Sequence, residues 1–169
     1  MTDDLVQFLR DRLDEDYEAA QGAALHAASE ISAVARKADV HSPPYSGAKW
    51  INDYDHVFVT DGRPGQPRKV MIADCGNGAF GLTPHIARHD PARVLREVEA
   101  KRQTINRHSP VPGSDGQAHD TTICDACSAY DREDGVQVGQ QYPCDTIRLL
   151  TLPYADHPDY RSDWASDQA

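Results

Sequence analysis

The segments TICDACS (residues 122–128) and YPC (residues 142–144) carry the strongest structural signal in this chain. Cys124 and Cys127 are separated by two residues, and Cys144 follows after sixteen more. A two-residue spacer lets both thiolates of a tight turn point at one ion, and a distant segment then completes the tetrahedron. Zinc suits such a site because it accepts soft sulfur together with a nitrogen. The spacing predicts a zinc knuckle that staples the C-terminal segment, whereas unligated cysteines are the simpler alternative.

The fourth zinc ligand has to come from outside these two segments. His108 is the preferred candidate, because fifteen residues separate it from Cys124 and a loop of that length can fold back onto the knuckle. His119 is close in sequence, with only four residues between it and Cys124, and His157 is the other alternative. Four protein ligands would leave zinc no open position, which argues against catalysis by the metal.

Composition and charge limit the classes of function. The 169 residues carry a formal net charge of -10, so the average field repels phosphate and disfavours sequence-independent binding to nucleic acid. The N-terminal segment MTDDLVQFLRDRLDED is acidic where a secretory signal is basic, and no apolar stretch approaches membrane-spanning length. We therefore expect a cytoplasmic protein without a membrane span, whose four cysteines stay reduced and are metal ligands or buried thiols before they are disulfide partners.

The N-terminal part predicts one long helix, from residue 2 to about residue 37, followed by a linker over 38–48. Thr2 can cap this helix, and its apolar residues recur at three and four positions. Beyond Tyr17 the stripe is mostly alanine, which favours close packing on another helix. The helix therefore packs on the chain's own core or takes part in self-association. The stripe consists of Leu5, Leu9, Leu13, Tyr17, Ala20, Ala24 and Ile31.

The remaining segments predict an α+β domain over 49–164, with a loose tail over 165–169. Residues 50–60 and 68–73 are rich in aromatic and branched side chains and indicate a β-hairpin. Asp90 is a good cap and Pro91 suits a first helical position, so a second helix should run from there to about His108. Thr83-Pro84 offers an earlier start for a short helical turn. Residues 109–120 indicate a surface loop, and the segment after Cys144 is a short helix or a strand.

Weaker motifs have plainer structural interpretations. The Cys124-x2-Cys127 motif is not surrounded by the βαβ unit that a redox motif requires. Cys75 stands alone in the sequence and is interpreted as a small buried hydrophobic residue. The glycines at 76, 78 and 81 match a dinucleotide fingerprint, but the predicted helix starts come too late, so a turn is preferred. His85 and His89 have ligand-like spacing without the glutamate of a zinc hydrolase, which indicates packing or helix-entry residues, with a ligand role for one of them open.

The second helix also carries a modestly basic face on an acidic protein. Pairs such as Arg93 with Glu97 explain the charges as a solvated helix surface. The sharper interpretation is a docking face for nucleic acid or an acidic partner. That face consists of Arg93, Arg96, Arg102 and Arg107.

Two motifs and the N-terminal segment carry a resemblance to known proteins. HIARHDPARVLREVEAKR (residues 85–102), PYADHPDYRSDW (residues 153–164) and MTDDLVQFLRDRLDED (residues 1–16) resemble a family of small proteins of unknown function from actinobacteria and their phages. Residues 22–67 depart from that family's pattern. The resemblance implies a compact unit from helix through knuckle to tail, with His85, His89 and His157 part of its architecture, and it implies no activity.

Taken together, the sequence predicts a non-catalytic zinc-binding adaptor or regulator that acts through protein contacts, with its partner unidentified. No motif of a hydrolase, kinase or phosphate-binding loop is present in the sequence. The first alternative is a nucleic-acid-associated regulator that uses the basic face. The second alternative is a zinc enzyme in which His108 does not bind and water holds the open position.

Overall fold

A computed structural model describes residues 2–37, 49–61, 68–76, 81–115, 120–133 and 135–165. The protein is α+β as predicted, with a long helix, antiparallel strands, further helices and a C-terminal cysteine cluster. The chain divides into two compact units, one formed by Asp16–Glu97 and the other by Met1–Glu15 with Val98–Ala169. The predicted division into helix, linker, domain and tail stays a prediction, since residues 38–48 and 166–169 lie outside the described residues.

Helix α1 spans Thr2–Lys37, which confirms the predicted N-terminal helix. Most of the predicted apolar stripe is buried, and Tyr17 and Ala24 are half-buried. Leu25 is exposed, and self-association through this helix stays a prediction. In the described part of the chain, no helix combines the length and apolar character needed to cross a bilayer. The buried residues of the stripe are Leu5, Leu9, Leu13, Ala20 and Ile31.

The unit formed by Asp16–Glu97 contains an antiparallel sheet of three strands, β1 (Lys49–Asp53), β2 (His56–Thr60) and β3 (Lys69–Asp74). The first strand of the predicted hairpin, 50–60, is in fact two strands, because Tyr54 and Asp55 form a two-residue turn between Asp53 and His56. Tyr54 adopts a left-handed backbone with φ of 52°, which its side chain did not suggest. In this unit's core, Trp50, Val70 and Ile72 pack against Ala27, Ile31 and Val59.

Two helices follow the sheet. Helix α2 spans Leu82–Arg88 and begins directly after Gly81, earlier than the predicted start at Thr83-Pro84. Helix α3 spans Pro91–Arg107 and confirms the predicted second helix. Its N-terminus is capped as predicted, because the backbone N–H of Arg93 donates to Asp90 Oδ1 at 2.7 Å.

In the other unit, strands β4 (Pro110–Ser114), β5 (Asp120–Asp131) and β6 (Val136–Gln141) form a small closed barrel. The expectation of a loop over 109–120 was therefore wrong for residues 110–114, whose prolines and glycine pair with β5 despite their turn-forming character. Residues 116–119 lie outside the described residues. The pairing of β5 with β6 shifts register between Ile123 and Ser128. Cys124 and Cys127 thus lie at an irregular point within one long strand, where a separate tight turn was predicted.

The segment after β6 is helical and anchored. Helix α4 spans Asp145–Leu149, and single 3-10 turns follow at Leu152–Tyr154 and Ser162–Trp164. The ring of Phe8 on α1 lies 4.9 Å from that of Trp164, which is buried. The rings of Tyr154, His157 and Tyr160 also surround Phe8. The segment 153–164 is therefore held on α1 by aromatic contacts that its polar composition did not indicate.

Candidate metal centre

Three separate pieces of chain supply the side chains of the candidate centre. His108 directly follows α3, and its backbone N–H continues the helical pattern by donating to the Thr104 carbonyl at 3.0 Å. Cys124 and Cys127 lie in the irregular part of β5, where Asp125 also bonds back to the Ser109 carbonyl. Cys144 occupies the N-cap position of α4. All of these residues belong to the unit of Met1–Glu15 and Val98–Ala169.

The four predicted ligand atoms converge on one point. Nδ1 of His108 lies 3.3 Å from the sulfur of Cys124 and 3.4 Å from the sulfurs of Cys127 and Cys144. All four ligand atoms lie within 4.8 Å of one another. In a tetrahedral zinc site, Zn–S bonds near 2.3 Å and a Zn–N bond near 2.1 Å separate nitrogen from sulfur by about 3.6 Å. The arrangement therefore forms a possible metal-binding site whose dimensions fit an ion of this size.

Burial raises the pKa of two thiols in this centre, those of Cys124 and Cys127. Cys124 and Cys144 are fully buried, and His108 and Cys127 are half-buried. Burial is the main cause that raises the pKa of Cys124 to about 12, and a hydrogen bond from the Cys127 backbone opposes that rise. Burial also raises the pKa of Cys127. A thiolate here is costly unless a cation offsets its charge, and a coordinated divalent ion does so directly.

Two of the other sulfur and nitrogen candidates, His157 and Cys75, do not belong to the cluster. His157 is held by Arg12, whose guanidinium contacts its ring nitrogens, and its Nδ1 accepts the backbone N–H of Asp159. His119 lies outside the described residues. Cys75 is half-buried at the end of β3 and does not belong to the cluster. Among the described histidines, His108 alone joins the three cysteines.

The two histidines of α2 form a contact with each other. Their rings are 4.3 Å apart, and Nδ1 of His89 lies 2.9 Å from the His85 carbonyl oxygen. Both residues are exposed, and neither belongs to a ligand cluster formed by the described residues.

The glycine motif does not lie in a dinucleotide-binding unit. Such a motif needs parallel strands around its helix, whereas the β1-β2-β3 sheet is wholly antiparallel. Helix α2 begins at Leu82, after the last of these glycines, which agrees with the predicted late helix start. Residues 77–80 of the motif lie outside the described residues.

The basic face of α3 is partly neutralised. Arg93 donates to Glu97 at 2.6 Å, as its spacing predicted. Arg102 forms an ion pair with Asp14 of α1. Arg96 and Arg107 are exposed. Two of these four guanidinium groups, those of Arg93 and Arg102, therefore bind carboxylates of the same chain.

A second group of metal-ligating side chains was not predicted from the sequence. Asp55, His56 and Asp74 each place one ligand atom within 4.8 Å of the others, in the unit formed by Asp16–Glu97. Asp74 is eighteen positions from His56 in the chain but directly opposite it in the pairing of β2 with β3. Only knowledge of that register, or of the turn at Tyr54, could have brought these residues together in advance.

Comparison with known proteins places the chain in a family. No curated protein and no solved structure matches the chain. A family model matches residues 2–166, which include all four residues of the His/Cys centre. The prediction that the chain is one of a family without an assigned function is confirmed to that extent. The chain belongs to DUF6221, a family of unknown function.

Proposed function

We propose that this protein binds one structural zinc ion through His108, Cys124, Cys127 and Cys144, and that it acts in the cytoplasm as a non-catalytic adaptor or regulator through protein contacts. Cytoplasmic thiols stay reduced, which keeps the cysteines competent to bind metal. We further propose, on the motifs at 85–102 and 153–164, that its relatives occur in actinobacteria and their phages.

One observation carries the proposal of zinc. A single imidazole nitrogen lies 3.3 to 3.4 Å from three sulfurs, two of them fully buried. Neutral thiols in contact with an imidazole would give only weak hydrogen bonds. Three soft sulfurs and one nitrogen in a nearly closed shell are instead the donor set that favours zinc over harder ions.

The same donor set supports a structural role for the ion. Four protein ligands fill a tetrahedral shell and leave no position for water or substrate. The zinc enzyme with an open position is therefore the weaker alternative, because it requires His108 to stay unbound although its Nδ1 lies beside all three sulfurs. In this role, the bound zinc holds a protein surface in its folded shape, and a protein partner binds that surface.

Metal analysis of purified protein tests the centre. We expect one zinc ion per chain in the wild type and loss of most zinc in Cys144→Ser and His108→Ala. Cys75→Ser is the matched control, since Cys75 lies outside the cluster and its loss should leave the zinc content unchanged. A protein purified without metal, or equal loss in the Cys75 variant, would overturn the proposal. Full zinc in the His108 variant would instead favour the enzyme alternative.

The adaptor role needs a separate test. The wild type and the zinc-free Cys144→Ser variant serve as paired baits in the native host. A partner captured by the wild type and by Cys75→Ser, but not by Cys144→Ser, is the expected result. Identical capture by all three baits would show that binding of the partner does not depend on zinc.

Binding to nucleic acid is the alternative that the basic face of α3 leaves open. The net charge of -10 and the pairing of Arg93 and Arg102 with carboxylates both weaken it. A salt-dependent mobility shift that is lost in a double Arg96→Ala and Arg107→Ala variant would support this function. No shift at low salt would eliminate it.

A further inference from the structure

The cluster of Asp55, His56 and Asp74 lies on the sheet of the other unit and has no part in the proposed zinc centre. Asp55 Oδ1 lies 2.7 Å from His56 Nδ1, and His56 Nε2 lies 3.9 Å from Asp74 Oδ1. The three side chains are 21%, 34% and 59% exposed in that order, so solvent ions reach them. The imidazole is thus placed between two carboxylates, with one nitrogen directed at each.

Backbone contacts hold this cluster in position. The turn at Tyr54 and Asp55 is held from both sides: buried Thr83 donates its hydroxyl to the Tyr54 carbonyl at 2.6 Å, and the Cys75 N–H donates to the Asp55 carbonyl at 2.9 Å. On β3, Asp74 Oδ1 accepts the N–H of Gly76 at 2.9 Å. The donors are therefore largely arranged before any ion arrives, which lowers the cost of binding one.

The separation between His56 Nε2 and Asp74 Oδ1 is slightly larger than that of two ligands of one cation. At 3.9 Å it is too long for a hydrogen bond. Two ligands that each lie about 2.1–2.2 Å from an ion are about 3.0 Å apart at 90° and about 3.5 Å apart at the tetrahedral angle. A movement of less than about 1 Å by the Asp74 carboxylate, whose side chain is 59% exposed, would bring both atoms into one coordination shell. Asp55 Oδ1 accepts a hydrogen bond from the Nδ1–H of His56. In neutral His56 the free lone pair is then on Nε2, on the side of Asp74. A carboxylate that fixes a ligating histidine in this way is a recurrent feature of metal sites.

The charges of the cluster favour a cation as well. When His56 is neutral, its imidazole lies between two carboxylates, and a divalent ion bound on the Nε2 side offsets their mutual repulsion. An oxygen-rich donor set with one nitrogen suits harder ions than three thiolates do, and Mn²⁺ accepts both donors. Few protein ligands and open solvent imply that water completes the coordination and that the ion exchanges freely.

We propose that Asp74 and His56 bind an exchangeable divalent cation of the Mn²⁺ class at the end of the β2–β3 pair, with Asp55 as the residue that positions His56. The site is separate from the zinc centre in sequence and in donor chemistry. It would give the unit formed by Asp16–Glu97 a metal dependence of its own, at cation concentrations where the zinc centre is already filled.

Titration of the zinc-loaded wild-type protein with Mn²⁺ tests the proposal, with the electron spin resonance of free Mn²⁺ as the readout. We expect one bound Mn²⁺ per chain and selective broadening of the His56 ring signals in the NMR spectrum. Asp74→Asn should weaken binding by more than about tenfold, because it removes a ligand charge while its amide oxygen still accepts the Gly76 N–H. Asp55→Asn should weaken binding by about tenfold, the effect typical of a positioning residue.

Asp53 provides a matched control on the same sheet. It lies opposite His56 in the pairing of β1 with β2 but faces Lys69, 3.9 Å away. Asp53→Asn should change Mn²⁺ affinity less than about twofold, as expected for an exposed charge outside the coordination shell. An equal loss in the Asp53 and Asp74 variants would mean diffuse attraction of cations and would overturn the site. So would an absence of bound Mn²⁺ in the wild type, or a fall in zinc content in the Asp74 variant.

Discussion

The two clusters of metal-ligating side chains differ in donors and in burial. His108 and its three cysteines are buried or half-buried and mostly soft, whereas the Asp55, His56 and Asp74 group is partly exposed and rich in oxygen. A buried thiolate is unfavourable unless a cation accompanies it, but an exposed carboxylate is charged and solvated with or without an ion. The comparison teaches that metal should contribute to the stability of the fold at the first cluster and should be only a ligand at the second.

Removal of zinc is expected to have the largest effect on stability. Chelation, or Cys144→Ser, should lower the free energy of unfolding of the zinc-bearing unit by about 5 kcal/mol or more, because structural zinc contributes its binding energy to folding. Amide hydrogen exchange should accelerate in β5 and β6. Protection in β2 and β3 is expected to remain, and its loss to the same degree would show that the two units do not respond separately to metal.

The pH dependence of stability should change sign with the metal. Without metal, burial holds the pKa of Cys124 at about 12 against an ordinary 9.0. The contribution of the protonated thiol to the free energy of unfolding is therefore complete below pH 9.0 and is lost as the pH rises towards about 12. With zinc bound, the ligands are thiolates, so stability should be lost as acid protonates them. Urea unfolding across both ranges measures this effect. The same alkaline loss in Cys124→Ala would contradict the assignment to Cys124.

A methyl group added at Gly139 should disturb the first cluster without changing a ligand. It would lie 2.5 Å from Ser128 Cβ and 3.0 Å from the Cys127 carbonyl oxygen, in the pairing that supports Cys127. We expect Gly139→Ala to cost about 1–3 kcal/mol and to weaken zinc binding. The control is Gly22→Ala on α1, where nothing lies within 4 Å and alanine should stabilise the helix by up to about 1 kcal/mol. Normal zinc affinity in the Gly139 variant would mean that the strand pairing does not govern the centre.

The smallest effect is expected at the second cluster. Asp74→Asn should change the free energy of unfolding by less than about 0.5 kcal/mol, since the residue is 59% exposed and the amide keeps the bond to Gly76. Thermal denaturation with and without Mn²⁺ provides the measurement. A loss of more than about 1 kcal/mol would make this cluster structural and would remove the contrast between the two clusters.

Local signals of sequence were sufficient for α1 and α3 and for the three cysteines of the first cluster. The cap at Asp90 and the stripe from Leu5 to Ile31 are properties of neighbouring positions, which helical geometry brings to one face. Cys124 and Cys127 are close in sequence, and the modest separations to His108 and Cys144 favoured a common site, with His119 and His157 as alternatives to His108. The identity of the metal and the role of these residues as ligands remain proposals.

Long-range pairing could not be predicted in the same way. Strand β4 contains Pro110, Pro112 and Gly113, which local chemistry assigns to a loop, and only its pairing with β5 makes it a strand. Asn52, Asp53 and Asp55 are turn-forming residues, but the aromatic and branched residues on both sides of them led to the prediction of a single strand in place of β1 and β2. The second cluster depends on both the turn and the β2–β3 register, and for that reason it emerged only from the structure.

The spacing of the zinc ligands also bears on the order in which the unit assembles. Sixteen positions separate His108 from Cys124 and thirty-six separate it from Cys144, whereas Arg12 and His157 are 145 positions apart. Closing a short loop costs less chain entropy than closing a long one. During refolding, the ion should therefore be captured by the segment from His108 to Cys144 before α1 docks against the aromatic residues near the C-terminus.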